Sequence, residues 1–372
     1  MKTPQDILQR QPEGTAHYYC LILASGKGRR LWPVSREEMP KQFLDILGTG
    51  KSLLQHTYER FCKILPEENI YVSTYTDYED IVRTQLPQLS DERLLCEPIR
   101  RNTAPVVAWA THRINAKDID ATLIVTPADQ IIFDDAAFRT DVLESLAYAS
   151  HHECLLTMGI RPTRPEPGYG YLQKGETLEC MHGIHGDFYT VQSFTEKPER
   201  EFAEMFIKSG EFLWNTGIYV LSTKTVRGHL AAVMPSVARL FNHADGVSAL
   251  KEEAWMADYY SMCPNLSIET GVLEKCKDIC LRECHFGWAD IGSWHGIYNV
   301  LATDSAANVT LSTEAVFSDT EGCLVILPSG RKAVINGLKD FIVAEHGDIL
   351  LITPRQDSSS QIMKTMTKYN GK

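Results

Sequence analysis

Residues 21–43 read LILASGKGRRLWPVSREEMPKQF, and they carry the residue types that bind a polyphosphate. An apolar run ends at Ala24 and Ser25. Gly26 and Gly28 follow, with Lys27, Arg29 and Arg30 beside them, and Lys41 comes after Pro33 and Pro40. Glycine lets backbone N–H groups approach an anion closely, and neighbouring cations neutralise it. No GK[ST] closes the loop, so it is not a Walker loop, and G-x-G-x-x-G is absent. A glycine-rich hairpin with surface arginines is the plainer alternative.

The spacing G-x-G-x-R-L-x-P followed by P-K resembles the signature of the sugar-1-phosphate nucleotidyltransferases. The form R-L-W-P-x-S-R…P-K-Q-F resembles their mannose-1-phosphate guanylyltransferase branch. The resemblance runs from about residue 18 to about residue 365. It implies transfer of GMP from GTP to α-D-mannose 1-phosphate, giving GDP-mannose and pyrophosphate with Mg²⁺ as cofactor. Rival readings are a nucleotidyltransferase for another sugar 1-phosphate or NTP, and a non-catalytic sugar-nucleotide-sensing subunit of the same fold. Longer members add a cupin domain with phosphomannose isomerase activity, and that step is not expected here. Two positions depart from the pattern: Ser25 stands where glycine is usual, and Gln130 where histidine is usual.

The reaction needs little covalent help. A sugar phosphate carries about −1.5 to −2 charge at neutral pH, so its oxygen is already a nucleophile. The obstacle is charge, which a divalent cation and fixed positive side chains must offset. Mg²⁺ takes a few carboxylates and completes its shell with phosphate oxygens and water. Asp129 in T-P-A-D-Q follows a buried run, and Asp290 lies in G-W-A-D-I-G-S-W. The resemblance makes this pair the metal ligands. The alternatives are a helix N-cap for Asp129, a role Asp134 or Asp135 fills better, and an Asx-turn for Asp290. Arg30 and Lys41 are expected on the β- and γ-phosphates, Arg as a planar fork and Lys as a point charge.

Three further motifs extend the resemblance. In F-T-E-K-P, Glu196 would accept from sugar hydroxyls and Lys197 would bind the phosphate of the sugar 1-phosphate. In W-N-T-G, Asn215 would bond sugar hydroxyls and Gly217 would permit close approach, with Gly170 of G-Y-G-Y offering a backbone contact. In E-P-I-R-R-N-T-A-P, Glu97 could accept from guanine N1–H and N2–H₂, with Asn102 and Thr103 beside it. Asn102 could instead simply cap the helix that follows.

These groups need a frame. Apolar runs at Tyr18–Ala24, Ile70–Thr74, Thr122–Thr126 and Leu155–Ile160 read as strands. Helical patterns at Ser52–Ile64, Tyr78–Leu86, Thr103–Asn115 and Asp135–His151 lie between them. The alternation predicts an α/β unit with a mainly parallel central sheet, and the resemblance implies a Rossmann-like nucleotidyltransferase domain whose sheet is mixed. Ligands of such sheets sit at the carboxyl ends of the strands, where the loop after Ala24 and the Pro127-Ala128-Asp129 segment both fall. Beyond residue 160 strands and turns mix with helices at Glu199–Ser209 and Lys224–Val233. From about residue 304 the chain reads as short strands broken by Asn, Gly and Pro, with no helix of any length. The expected division is an N-terminal lead over 1–17, a catalytic domain over 18–303 and a small all-β domain, a short β-helix or roll, over 304–372.

The composition sets outer limits. With 372 residues, 44% hydrophobic and 23% charged, the chain is long enough for a large domain plus a smaller one. A net charge of −11 argues against a nucleic-acid surface but leaves room for one basic pocket. No run reaches the roughly 20 apolar residues that span a bilayer, and the N-terminus lacks an apolar signal core. A cytoplasmic enzyme is expected, with reduced cysteines and possible homodimer contacts through exposed β edges. Cys276, Cys280, Cys284 and His285 would share a face only on a helix, and residues 279–284 read as a strand, so core thiols are favoured over zinc.

Overall fold

The computed structural model describes residues 14–152, 154–179, 184–242, 256–276, 278–301, 304–311, 314–356 and 358–370. Most of the expected N-terminal lead, residues 1–13, lies outside them. The chain forms two compact units that are discontinuous in sequence. The first holds residues up to Ser25, Tyr58–Pro127 and Ile132–Trp288; the second holds Gly26–Thr57, Ala128–Ile131 and Ala289 onward.

The first unit is built on strands that are apolar almost throughout. Tyr18–Leu23 (β1), Ile70–Tyr75 (β2), Leu94–Glu97 (β3) and Thr122–Pro127 (β4) run parallel. Their side chains are largely buried, as expected of strands covered on both faces. Helices Leu53–Cys62 (α1), Glu79–Gln85 (α2) and Thr103–Lys117 (α3) fall between these strands in the chain. After the short strand Gln130–Ile132 (β5) come helix Asp135–His151 (α4), strands Leu155–Ile160 (β6), Gly170–Thr177 (β7) and Asp187–Glu196 (β8), and helix Arg200–Ser209 (α5). Strand Phe212–Ser222 (β9), helices Thr223–Val233 (α6) and Pro235–Asn242 (α7), and strands Ile279–Cys284 (β10) and Trp288–Asp290 (β11) follow. The central sheet has nine strands in the order β3-β2-β1-β4-β9-β6-β10-β8-β7, and β7 pairs with β9 as well. It is mixed: β10 runs parallel to β6, while β9 is antiparallel to β4 and β6. The parallel register sets Leu23 opposite Pro127, so the carboxyl ends of β1 and β4 lie side by side.

Asp134 caps α4, accepting from the N–H groups of Ala136 and Ala137, which removes the capping alternative for Asp129. Cys280 and Cys284 lie on β10, so no helical cysteine face forms. Among the described residues no group of three or more His, Cys, Asp or Glu could hold a metal ion. No described helix is long and apolar enough to cross a membrane. Residues 14–17, expected in the loose lead, are tied in: Asn69 Nδ2 donates to the Ala16 carbonyl, and His17 Nδ1 lies 2.9 Å from Asp118.

In the second unit, helix Trp294–Val300 (α8) precedes stacked short strands. Val309–Leu311 (β12), Leu324–Ile326 (β14) and Phe341–His346 (β16) are parallel, and Ile349–Pro354 (β17) turns back antiparallel on β16. Glu314–Ser318 (β13) and Lys332–Asn336 (β15) form a second parallel pair. Asn308 links successive coils, donating to the Thr320 carbonyl and accepting from Cys323 N–H. The expectation of no helix here is corrected: Ser358–Asn370 (α9) is helical. Ile362 and Met366, one turn apart, bury against Leu31, Trp294 and Ile326, a tertiary contact that the polar composition of the segment conceals.

Candidate active site

The residues expected to bind phosphate lie in the second unit. Gly28 holds φ 64° ahead of a 3₁₀ turn over Arg29–Leu31. A Cβ there would meet Ser35 Oγ at 2.1 Å and the Lys41 backbone N at 2.8 Å, so only glycine fits. Leu31 and Trp32 are buried, and the Trp294 indole donates to the Trp32 carbonyl at 3.2 Å, which fixes the turn carrying Arg30. Lys27 and Arg29 pair with Glu37 instead, as surface cations do. Gln42 Nε2 donates to the Gly26 carbonyl at 2.8 Å and closes the loop.

Lys41 follows Pro40 in a 3₁₀ turn and is 5% exposed. Its Nζ lies 2.7 Å from Asp129 Oδ2 and 3.6 Å from Asp290 Oδ1, and it donates to the Ile291 carbonyl. Burial pushes its pKa down, but the two carboxylates outweigh that and hold it above the ordinary lysine value. The side chain therefore stays charged. A Cβ at Gly292 would lie 2.6 Å from Asp290 Oδ2 and 2.7 Å from Arg30 Nη2, so Arg30 and Asp290 both crowd this glycine. The cap of α8 is Ser293, which accepts from Gly296 N–H, and Asp290 is left facing the lysine. Arg30, Lys41, Asp129 and Asp290 thus form one cluster. Two carboxylates converging on one point match what a magnesium ion takes from protein, with phosphate oxygens and water completing its shell.

The sugar-motif residues lie in the first unit. Gly170 pairs with Glu196 across β7 and β8, and a Cβ on it would meet Glu196 Oε2 at 2.8 Å and the Phe194 ring at 3.0 Å. Glu196 is ion-paired with Lys197. Lys197 holds φ 49°, a left-handed conformation that costs a non-glycine residue energy and that clusters at functional sites. Asn215 is already engaged: its Oδ1 accepts from Thr157 Oγ1 and Gly217 N–H, and its Nδ2 donates to Tyr219 OH at 3.0 Å. Tyr219 in turn donates to Glu269 at 2.7 Å. Gly217 holds φ 72°.

The segment after β3 lies in the same unit. Glu97 is 1% exposed; one carboxylate oxygen accepts from Ser25 Oγ and the other from Tyr260 OH, each at 2.7 Å. Burial pushes its pKa up to about 7, against the pull of the two hydroxyls and the Arg100 charge. Asn102 does cap α3, accepting from Thr103 N–H at 3.0 Å, and it holds φ 65°. Thr103 Oγ1 accepts from Ile268 N–H at 2.9 Å.

A nucleotidyl transferase family model matches residues 19–306. The chain belongs to the nucleotidyl transferase family. Among curated relatives it is 33% identical over 344 residues to the mannose-1-phosphate guanylyltransferase of Klebsiella pneumoniae, covering 91% of this chain and 71% of the relative. It is 32% identical over 350 residues to the mannose-1-phosphate guanylyltransferase of Escherichia coli K12, covering 91% and 70%. A solved structure from Thermus thermophilus, described as a mannose-1-phosphate geranyltransferase, matches with TM-score 0.83 and 31% identity over 95% of this chain and 99% of that one.

Within this nucleotidyl transferase the departure at Ser25 has a local explanation. Ser25 does not sit at positive φ, so a side chain is tolerated, and its hydroxyl is taken up by Glu97. Sequence reasoning missed Tyr260, Arg100, Tyr219 and Glu269. Tyr260 and Glu269 sit in a stretch without a motif and act at separations of 163 and 50 residues, so no local pattern marks them.

Proposed function

We propose that this nucleotidyltransferase converts GTP and α-D-mannose 1-phosphate to GDP-mannose and pyrophosphate. The convergence of Asp129 and Asp290 on Lys41, with Arg30 beside Asp290, carries the reading. It joins three motifs that are far apart in sequence into one cluster of cations and carboxylates, which supports a phosphate site, and the names of the relatives supply the substrates.

A phosphate oxygen of the sugar 1-phosphate attacks the α-phosphorus of GTP, and the bond to the β-phosphate oxygen breaks. No general base is required, because the attacking phosphate is already ionised. Arg30 and Lys41 neutralise the β- and γ-phosphates and the departing pyrophosphate. Lys197 holds the phosphate of the sugar 1-phosphate. Glu196, Asn215, Gly170 and Gly217 bind the sugar, and Glu97–Thr103 with Ala24 and Ser25 bind the nucleobase. Asp129 and Asp290 would hold Mg²⁺, which supplies positive charge at the reacting phosphates. We assign catalysis to residues 18–303 and residues 304–372 to an accessory β domain in a cytoplasmic enzyme. Val316 and Val334, opposite each other on β13 and β15 and 65% and 82% exposed, favour a homodimer through that domain.

Pyrophosphate release, measured across four NTPs and several sugar 1-phosphates with and without Mg²⁺, tests the reading. GTP with mannose 1-phosphate should be the preferred pair and should need the metal. Absence of turnover with every pair would favour the sensing-subunit alternative, and a different preferred pair would reassign the substrates.

A further inference from the structure

We infer that Glu269, acting through Tyr219, fixes the Asn215 side chain so that it offers the sugar one N–H donor and no acceptor. The inference rests on the reading above that Asn215 binds the sugar, and it names the residues that position it.

Asn215 and Tyr219 both lie on β9, four residues apart. Four residues of a regular strand span about 13 Å, so their side chains would not meet. They meet because β9 bulges. Thr157 and Gly159 of β6 pair with Tyr219 and Asn215, so two steps along one strand face four along the other. Gly217 takes the positive φ of 72° within this bulge. Thr216 holds the bulge from inside, its hydroxyl donating to the Met158 carbonyl at 2.8 Å. Bulges of this kind re-aim side chains beside active sites. Here the result is a 3.0 Å hydrogen bond from Asn215 Nδ2 to Tyr219 OH.

The hydrogen bonds of this brace run in one direction. A carboxylate only accepts, so Tyr219 donates to Glu269, at 2.7 Å. Burial, with the Glu269 charge beside it, holds the Tyr219 pKa well above the ordinary phenol value, so the phenol keeps its hydrogen. The phenol oxygen then has only a lone pair for Asn215, which meets it with Nδ2. At the other end of the amide both lone pairs of Oδ1 are taken, by Thr157 Oγ1 at 3.0 Å and by Gly217 N–H at 3.2 Å. Turning the amide over would set its carbonyl against the phenol lone pair and its NH₂ against the Gly217 N–H. Of the two Nδ2 hydrogens Tyr219 takes one, and the other is left for the sugar. Asn215 is half-buried and Tyr219 buried, so the amide is the accessible end of the brace. A sugar hydroxyl that meets this hydrogen must accept through its oxygen. Without Glu269 the phenol would be free to donate to a reversed amide, and the preference would be lost.

Steady-state kinetics of Tyr219→Phe, Glu269→Leu and Glu269→Gln, with each substrate varied and a melting curve for each variant, tests the brace. Tyr219→Phe and Glu269→Leu should raise KM for mannose 1-phosphate by roughly three- to tenfold, the scale of one lost hydrogen bond. KM for GTP should hold within about twofold in both. Glu269→Gln keeps an acceptor oxygen for the phenol and should recover most of the loss. In an Asn215→Ala background, Tyr219→Phe should change KM for mannose 1-phosphate by less than about twofold, because the brace acts only through that amide. The brace is overturned if Tyr219→Phe leaves KM for mannose 1-phosphate unchanged. It is also overturned if the effect persists in full without the Asn215 amide, which is what packing alone would do. Wild-type turnover with several sugar 1-phosphates is measured first. If another sugar is preferred, the substrate reading fails, and the brace is scored with that sugar. If no pair turns over, the enzyme reading fails, and the same variants are scored by the Kd for GDP-mannose in calorimetry. Absence of binding there overturns both.

Discussion

The Lys41 ammonium lies 2.7 Å from Asp129, with the two side chains only 7% and 22% exposed. A buried cation of this kind depends on its partners, because breaking such a pair leaves an uncompensated charge. Asp129→Asn and Asp290→Asn should each lower kcat by more than about a hundredfold at saturating magnesium, through lost metal binding and charge stabilisation. Their stabilities should differ. Asp129 is the nearer partner and Asp290 stands at 3.6 Å, so Asp129→Asn should shift the urea midpoint further. Wild-type-like turnover in either purified variant would remove that residue from the metal site.

Arg30 and Lys197 should fail in different ways. Arg30 lies beside Asp290 at Gly292, and Lys197 follows the strand that carries Glu196. Arg30→Ala should mainly damage use of GTP, and Lys197→Ala use of mannose 1-phosphate. Each charge-assisted phosphate contact is worth about 1.5–3 kcal/mol, or roughly ten- to a hundredfold. Equal losses toward both substrates in both variants would remove the division of labour.

The sequence made the local parts of this site legible and left its long-range parts hidden. Helix α4 and strand β6 have the bounds their apolar periods predict, because those periods and the buried faces agree. The loop glycines, Arg30, Lys41, Asp129 and Asp290 could be found because each sits in a compact motif. Tyr260 could not, since its bond to Glu97 is made by folding alone. The same holds for the Tyr219–Glu269 pair behind Asn215. Helix α9 escaped notice because serine, threonine and lysine dominate it, and the core-facing Ile362 and Met366 are too few to set an apolar period. The discontinuity of the two units was also illegible, because residues 26–57 join the C-terminal region through packing.

Gly170→Ala tests the proposed sugar contact of Glu196. The new methyl would lie 2.8 Å from Glu196 Oε2 and 3.0 Å from the Phe194 ring, too close for either to stay put. Overpacking of this kind costs about 1–3 kcal/mol of stability. Displacement of the Glu196 carboxylate should raise KM for mannose 1-phosphate several-fold, roughly the worth of one hydrogen bond, while KM for GTP holds. A variant with unchanged sugar kinetics would mean that Glu196 does not contact the sugar.

The last expectation concerns protons on Glu97. Burial raises its pKa from 4.5 to about 7 in the folded state. Between those values the folded protein keeps a proton that the unfolded chain has already released. Stability must then fall as pH rises across that window. The contribution is fully present below pH 4.5 and is lost by about pH 7. At about 1.36 kcal/mol per unit, the loss is of order 3 kcal/mol. Glu97→Gln cannot ionise, so its stability relative to wild type should improve steadily from pH 4.5 to 7, while all other titrations cancel in the difference. Urea unfolding of both proteins at several pH values measures this directly. A difference that stays flat would mean that the Ser25 and Tyr260 hydroxyls and Arg100 fully offset the cost of burying the charge. Glu97 would then be ionised across the whole window, accepting from the Ser25 and Tyr260 hydroxyls as a full carboxylate.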